Sequence, residues 1–81
     1  MQLEILTPEK KIFEGNVTII TFPGANGSFQ VMDNHAPLIS LLQAGSVEFK
    51  SSEGAQKINI RGGVVEVLKN KVIVLATGIA A

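Results

Sequence analysis

Residues 24–38 read Gly-Ala-Asn-Gly-Ser-Phe-Gln-Val-Met-Asp-Asn-His-Ala-Pro-Leu. Two turn signals, Asn26-Gly27 and Asp33-Asn34, enclose a short apolar segment, and Pro37 biases the chain before it towards extended backbone. Asparagine and glycine tolerate a positive φ, so the first signal predicts a tight chain reversal. The stretch therefore predicts a β-hairpin followed by a further extended strand.

The rest of the chain also consists of short strands between turn signals. β-branched residues dominate some segments, and others alternate polar and apolar side chains, as in the hairpin of residues 46–50 and 56–61. Predicted strands and hairpins comprise residues 3–6 with 11–14, 17–22, 37–42, 46–50 with 56–61, and 64–68 with 71–76, with turns at Gly15-Asn16 and Lys69-Asn70 and a loose tail over 77–81. About eight to ten short strands without a helical period predict an all-β fold, a β-sandwich or a barrel.

The size and charge of the chain restrict its function. Its 81 residues are enough for one domain, residues 1–81. Seven basic and seven acidic residues give zero net charge, so no electrostatic field attracts nucleic acid or anionic lipid. There is no cysteine, and no apolar run reaches the roughly 20 residues that span a bilayer. These features predict a soluble cytoplasmic protein.

The chain has more apolar residues than its small core needs. Hydrophobic residues make up 46% of it and charged residues 17%, below the roughly 25% charge that is usual in a soluble domain. Adjacent apolar residues in a strand point to opposite faces, and a sandwich buries only the inner one. The pairs are Ile19-Ile20, Leu38-Ile39, Leu41-Leu42 and Val64-Val65, together with the last strand. Their outer members predict a docking surface, unless a pair lies at a bulge or an edge.

His35 is the only histidine, and two functional interpretations of it lack support from the surrounding residues. Zinc requires three or four ligands, and the chain has neither a second histidine nor a cysteine. A catalytic triad would join Asp33 and His35 to a serine, but no nucleophile elbow or oxyanion-hole loop flanks a candidate. The candidate serines are Ser28, Ser40 and Ser46. The residues favour a loop histidine that hydrogen-bonds to backbone, and they predict no catalytic residue and no metal site.

Two further patterns are too weak to indicate a ligand. Gly24-x-x-Gly27-Ser28 lacks the Gly-Lys-Ser/Thr that opens a helix in a phosphate-binding loop. Lys10-Lys11 and Lys69-x-Lys71 fit solvated turn charges, because the chain has no tyrosine or tryptophan on which bases stack. We predict no cofactor and no nucleic-acid partner. An enzyme, an oligonucleotide-binding barrel and a generic assembly module are the rival classes.

Several short motifs occur in a distinctive order over residues 3–76. In chain order they are Pro23-Gly24, Gly27-x-Phe29, His35-Ala36-Pro37-Leu38, Gly45, Gly62-Gly63-Val64-Val65-Glu66-Val67 and Val72-x-Val74-Leu75-Ala76. In order and spacing they resemble the epsilon subunit of rotary F-type ATP synthases. The resemblance implies a flattened, mainly antiparallel β-sandwich. It also implies a non-catalytic central-stalk subunit that links the gamma shaft to the c-ring and couples proton or sodium transport to ATP synthesis.

The resemblance further implies which residues contact which partner. The c-ring contact would comprise Asn26, Gly27, Ser28, Phe29, Asn34 and His35. The gamma contact would comprise Thr7, His35, Leu38 and Ser40. The alpha/beta hexamer would be reached indirectly and the membrane only through the c-ring, on the cytoplasmic side of an inner membrane or in a plastid thylakoid.

The sequence differs from the family pattern in two places. Family members usually continue into a helical hairpin that can inhibit ATP hydrolysis and in some cases bind ATP, whereas this sequence stops at Ala81. We therefore expect neither latch-type inhibition nor a nucleotide site. The commoner Pro-Gly before the loop histidine is replaced by Asp33-Asn34, which is still a turn, so we expect the backbone path to hold while ring contacts differ in detail.

Overall fold

Nine strands and no helix make up residues 1–80, the part of the chain that the computed structural model describes. The strands are β1 (Gln2–Leu6), β2 (Lys11–Asn16), β3 (Ile19–Phe22), β4 (Phe29–Met32), β5 (Leu38–Leu42), β6 (Gly45–Ser51), β7 (Gly54–Ile60), β8 (Gly63–Leu68) and β9 (Lys71–Ala76). The predicted all-β fold is confirmed.

The strands form two sheets that pack as a sandwich. One sheet has five strands in the order β2-β1-β9-β8-β5, and the other has four in the order β4-β3-β6-β7. All strand pairs within these sheets are antiparallel except β1 with β9, which is parallel. The Cα positions extend 28 × 27 × 19 Å. The molecule is therefore a flattened, mainly antiparallel β-sandwich, as predicted.

The core lies between the two sheets and follows the two-residue period of the strands. Alternate residues of β1, β6 and β9 are buried, while their neighbours point away from the core. The buried residues are Met1, Leu3, Ile5, Val17, Ile20, Phe22, Val31, Leu42, Val47, Phe49, Ile60, Val65, Val67, Val72, Val74 and Ala76. Each large aliphatic or aromatic side chain contributes about 1.5–3 kcal/mol to folding when it is fully buried.

The turn at Asn26-Gly27 joins β3 and β4, which confirms the predicted hairpin. Phe22 pairs with Phe29 across it, and their ring centroids lie 5.3 Å apart. Gly27 has a φ of 124°, the positive value expected at this position. The predicted turn at Lys69-Asn70 also forms, with φ values of 51° and 62°.

Two boundary predictions are wrong. Gly15 and Asn16 belong to β2 because they pair with β1. The chain turns instead at residues 17–18, where the Val17 amide donates to Met1 O and the Thr18 amide to Lys50 O, each at 2.9 Å. With these two amides bonded to Met1 and to β6, β3 begins only at Ile19.

The predicted loose tail is also wrong for residues 77–80. The Thr77 amide donates to Gly62 O at 3.0 Å, and the Ala80 amide donates to Asn59 O at 2.9 Å. The Arg61 amide donates to Gly78 O at 3.0 Å. These bonds attach the segment to the end of β7. Ala81 lies outside the described residues.

An ion-pair network joins β1 and β2 at the outer edge of the five-stranded sheet. The Lys11 Nζ lies 2.9 Å from Glu4 Oε2 and 2.9 Å from Glu14 Oε1. Hydrogen bonds to these two carboxylates raise the pKa of Lys11 above its ordinary value of 10.5. A raised pKa in the folded state contributes stability that is present below pH 10.5 and is lost as the pH rises through the raised value.

We therefore expect the pKa of Lys11 to fall towards 10.5 when both Glu4 and Glu14 are replaced by glutamine. NMR titration of the lysine ε-methylene signals measures this shift. Lys11→Gln should also flatten the decline of stability above pH 10.5, because the variant has no charge to lose there. An unchanged Lys11 titration in the double glutamine variant would show that the network has no effect on its proton.

Candidate docking surface

A continuous row of apolar side chains crosses the outer face of the five-stranded sheet. Leu41 pairs with Val64, Val64 pairs with Leu75, and Leu75 pairs with Leu6. Each of the four has a buried strand neighbour, so the two-residue period directs it outwards. We call Leu41, Val64, Leu75 and Leu6 the outer apolar row.

The outer apolar row is open to solvent over much of its length. Leu41 is 68% exposed and Leu75 is 52% exposed, and Ile39 beside the row is 73% exposed. Val64 and Leu6 are partly exposed. The prediction that outward members of apolar pairs reach the surface is therefore confirmed for β5 and for the last strand. Exposed apolar side chains that adjoin one another are typical of interaction sites.

The opposite face of the sandwich differs in character. On the four-stranded sheet the corresponding outer positions carry mainly polar side chains, among them Thr21, Gln30, Glu48 and Lys57, which lie side by side on adjacent strands. The large exposed apolar residue there is Met32, at 55%. The asymmetry singles out the five-stranded sheet as the candidate docking face.

Charged side chains border the outer apolar row on one side. A parallel row lies two residues further along the strands on the same face. Its members are Ile39, Glu66, Ile73, Glu4 and Glu14. Lys11 bridges Glu4 and Glu14, while Glu66 has no ion-pair partner within residues 1–80. A partner that covers this face therefore meets an apolar strip with a carboxylate beside it.

The predicted c-ring residues fall into two groups. Asn26, Gly27 and Ser28 form the turn at one end of β4, and this turn is held against β5. The Ala25 amide donates to Leu41 O at 3.0 Å, and the Gly27 amide donates to Gly24 O at 3.0 Å. Phe29 begins β4, where its ring packs on Phe22.

The second group, Asn34 and His35, lies at the other end of β4. The Asn34 amide donates to Asn70 Oδ1 at 2.8 Å, and the amino group of Met1 lies 2.5 Å from Asp33 Oδ1. The four residues of β4 separate this loop from the turn at residues 26–28 by roughly 10 Å or more. The structure therefore does not gather the predicted ring residues into one cluster.

The predicted gamma residues are also divided. Leu38 and Ser40 lie on β5, partly exposed, and His35 lies in the loop just before it. Thr7 lies at the opposite end, beyond the point where β1 pairs with Leu75. There its amide donates to Lys10 O at 2.9 Å. Of the four predicted gamma residues, His35, Leu38 and Ser40 are neighbours in and just before β5, whereas Thr7 is separate from them.

His35 is exposed, as expected for a loop histidine. Its Nδ1 lies 2.7 Å from Ala36 O, a distance that suits an Nδ1–H donating to the carbonyl. Asp33 contacts the amino group of Met1. Across residues 1–80, no three histidine, cysteine, aspartate or glutamate side chains come together in a way that could hold a metal ion. No helix in this part of the chain is suited to crossing a membrane.

The residues predicted for the two contacts omit most of the exposed apolar surface. Leu6, Ile39, Leu41, Val64 and Leu75 were in none of the predicted contact sets, although all but Leu6 fall in the apolar pairs or the last strand. Their signal was present in the sequence as adjacent apolar residues. Their alignment into one row appears only when the strand order is known.

The fold and this face define a small β-sandwich domain with a surface suited to contact another protein. Comparison with known proteins identifies the family to which this β-sandwich domain belongs. The family model of the ATP synthase delta/epsilon chain β-sandwich domain matches residues 1–81, and the chain belongs to this family. The resemblance noted in the sequence is thus confirmed.

Curated relatives of the chain are ATP synthase epsilon chains. That of Wolinella succinogenes is 44% identical over 82 residues, covering 100% of this chain and 63% of the relative. That of Chlorobium limicola is 40% identical over 80 residues, covering 98% of this chain and 91% of the relative. The chain therefore spans less than two thirds of some relatives and nearly all of others.

Solved structures share the fold. A chain in the structure of the Euglena gracilis mitochondrial ATP synthase with OSCP, F1 and c-ring matches with a TM-score of 0.88 and 21% identity, covering 96% of this chain and 51% of that one. A chain in the central stalk and c-ring structure of the Tetrahymena thermophila enzyme matches with a TM-score of 0.80 and 17% identity, covering 98% and 64%. At these identities the likeness is one of fold.

Proposed function

We propose that the chain acts as a non-catalytic central-stalk subunit of a rotary F-type ATP synthase, with residues 1–81 as a single domain. It links the gamma shaft to the c-ring and so couples proton or sodium transport to ATP synthesis in the alpha/beta hexamer. The single observation that carries the proposal is the family match over residues 1–81. The domain needs no active site, cofactor or nucleic acid for this role, and it meets the membrane only through the c-ring.

The outer face of the five-stranded sheet is the proposed gamma contact. The outer apolar row gains most from burial, and β5 places Ile39 and Leu41 on this face. The predicted residues Leu38 and Ser40 alternate with them and pair with the buried Val67 and Val65, so they face the inner side of the sheet and would reach gamma only along the edge of β5. His35 lies just before β5 and borders the same contact. Thr7 belongs to it only if gamma covers the sheet as far as the end of β1.

The turn at residues 26–29 is the proposed c-ring contact. Residues 26–28 are exposed, and the hydrogen bond from the Ala25 amide to Leu41 O ties the start of the turn to β5. Asn34 and His35 lie at the other end of β4, and they join the ring contact only if the ring lies along the whole strand. A close-packed core between two sheets resists shear, so a sandwich transmits torque between two partners without deforming.

Recovery of the complex tests the proposal. The chain, tagged and expressed in its own host, should bring down gamma and the c-ring from detergent-solubilised membranes. Before solubilisation it should behave as a peripheral protein on the cytoplasmic or stromal side of the membrane. An unrelated β-sandwich with the same tag is the control. Recovery of the chain without gamma and the c-ring would refute the proposed assembly.

Single-cysteine cross-linking tests the two contacts separately, because the chain has no cysteine of its own. We expect Ser28→Cys to cross-link to the c-ring and Ile39→Cys to cross-link to gamma. Asn34→Cys decides whether the far end of β4 reaches the ring. Lys57→Cys, exposed on the other sheet, is the control and should give neither product. Cross-linking of Ser28→Cys only to gamma would reverse the proposed orientation.

A further inference from the structure

The Asn26-Gly27 step is reactive as well as turn-forming. We propose that it is a site of spontaneous deamidation, at which the side-chain amide of Asn26 is replaced by a carboxylate. The chemistry needs only water and the neighbouring backbone nitrogen. The proposed modification converts a neutral turn into one with a negative charge.

The reaction is an intramolecular acyl transfer. The deprotonated backbone nitrogen of Gly27 attacks Cγ of Asn26, a C–N bond forms, and the side-chain nitrogen leaves as ammonia. The product is a five-membered cyclic imide. Water then opens the imide at either carbonyl, which gives aspartate or, with the backbone rerouted through the side chain, isoaspartate. No atom is oxidised or reduced.

Glycine in the following position favours the attack. It has no Cβ to obstruct the approach of its nitrogen to Cγ. No other part of the protein crowds Gly27, because no atom outside residues 26–28 lies within 4 Å of the position that a Cβ would take. Asn26 and Gly27 are both exposed, so water reaches the imide.

The other four asparagines lack this combination. Asn16 precedes the β-branched Val17, and Asn59 precedes Ile60 within β7. The side chain of Asn59 accepts from Ser46 Oγ at 2.5 Å, and that of Asn70 accepts from the Asn34 amide at 2.8 Å.

Asn34 and Asn70 are followed by histidine and lysine, whose side chains hinder the attacking nitrogen. Asn26 is therefore the asparagine whose side chain is least hindered from attack by the next backbone nitrogen. Among residues 1–80 its side chain also has no hydrogen-bond partner that would fix the amide.

One feature of the turn slows the reaction. The Gly27 amide donates to Gly24 O at 3.0 Å, and this bond must open before the nitrogen can be deprotonated and attack. The folded chain should therefore deamidate more slowly than the same sequence in an unfolded peptide. Base should accelerate the conversion in both, because the attacking nitrogen must lose its proton.

The two products affect the turn differently. Aspartate keeps the backbone length, and aspartate suits turns. Isoaspartate adds one backbone carbon between Gly24, which bridges to Leu42, and Phe29, which pairs with Phe22. Only residues 25–28 can absorb the extra length. Isoaspartate should therefore loosen the Gly27-to-Gly24 hydrogen bond, while aspartate should leave it intact.

The consequence for assembly rests on the proposed function. Deamidation would place a carboxylate in the turn assigned to the c-ring and lower the net charge of the chain from zero to −1. The chemical reaction itself does not depend on that assignment. A failure of the assembly experiments would leave it standing, and the two proposals can therefore be distinguished.

Ageing of the purified chain tests the proposal. The chain is incubated at neutral and at mildly alkaline pH, and samples are digested and mapped by mass spectrometry. The peptide that contains Asn26 should gain about 1 Da. It should do so at least about tenfold faster than peptides that contain the other asparagines. Enzymatic methylation of isoaspartate with labelled S-adenosylmethionine should label the same peptide.

Two variants serve as controls. Asn26→Gln should stop the conversion at this peptide, because a five-membered imide cannot form from the longer side chain. Asn26→Asp should reproduce the charge of the aspartate product and give no isoaspartate label during early incubation. Equal rates at all five asparagines, or no mass gain at the Asn26 peptide after prolonged alkaline incubation, would overturn the proposal.

Discussion

Replacing Gly63 by alanine is expected to remove at least about 3 kcal/mol of stability, a large share of the roughly 4–12 kcal/mol available to a domain of this size. An added Cβ would collide with the carbonyl oxygen of Leu75 and lie 2.9 Å from the Cα of Ala76. These are backbone atoms of β9, which pairs with β8 in the middle of the five-stranded sheet. They cannot move aside without breaking that pairing.

Gly54→Ala is the matched control. Both glycines have a positive φ, 153° at Gly63 and 107° at Gly54, so both substitutions carry backbone strain. No atom outside residues 53–55 lies within 4 Å of the Cβ position at Gly54. We expect it to lose about 1–2 kcal/mol from strain alone. Urea unfolding, monitored by circular dichroism, measures the stability loss of both variants. Equal losses in the two variants would show that the close approach of β9 contributes nothing.

The local architecture could be predicted from the sequence because strands carry a two-residue signal. In β6 and β7, Val47 pairs with Ile58 and Phe49 lies on the same inner face, as the alternation indicated. The turn between β8 and β9 could be predicted from a second local signal, the residue types at the turn. Lys69 and Asn70 adopt the positive φ values that tight hairpins require.

The long-range arrangement could not be predicted in the same way. The parallel pairing of β1 with β9 joins Gln2 to Lys71, and no local pattern in either strand specifies so distant a partner. The register between such strands is set by which side chains fit together in the core. The attachment of residues 77–80 could not be predicted either, because their hydrogen bonds are made to residues at the end of β7, which lie far away in the sequence.

The candidate site shows the same division. The apolar pairs Leu38-Ile39 and Leu41-Leu42 predict one outward residue each, but only the structure assigns that position to Ile39 and Leu41. Their continuity with Leu75 and Leu6 depends on the order β1-β9-β8-β5. The predicted ring residues Ser28 and Asn34 are six positions apart in the sequence, but an extended strand between them places them beyond opposite ends of β4.

The largest functional effect is expected from charging the outer apolar row. Leu41→Asp should weaken binding of gamma by at least about thirtyfold, which corresponds to about 2 kcal/mol, the size of a well-buried contact. Leu41 is 68% exposed in the free chain, so a charge there is solvated before binding but must be desolvated when gamma covers the sheet. The same exposure should keep the stability of the free domain within about 0.5 kcal/mol of wild type.

Met32→Asp provides the comparison, because Met32 is 55% exposed on the outer face of the four-stranded sheet. Titration of each variant with purified gamma gives the dissociation constants, and urea unfolding establishes that both remain folded. We expect Met32→Asp to bind within about twofold of wild type. If both substitutions weaken binding equally, gamma does not distinguish the two faces. If neither does, the five-stranded sheet is not where gamma binds, because a desolvated carboxylate at Leu41 would otherwise have to be tolerated within an apolar contact.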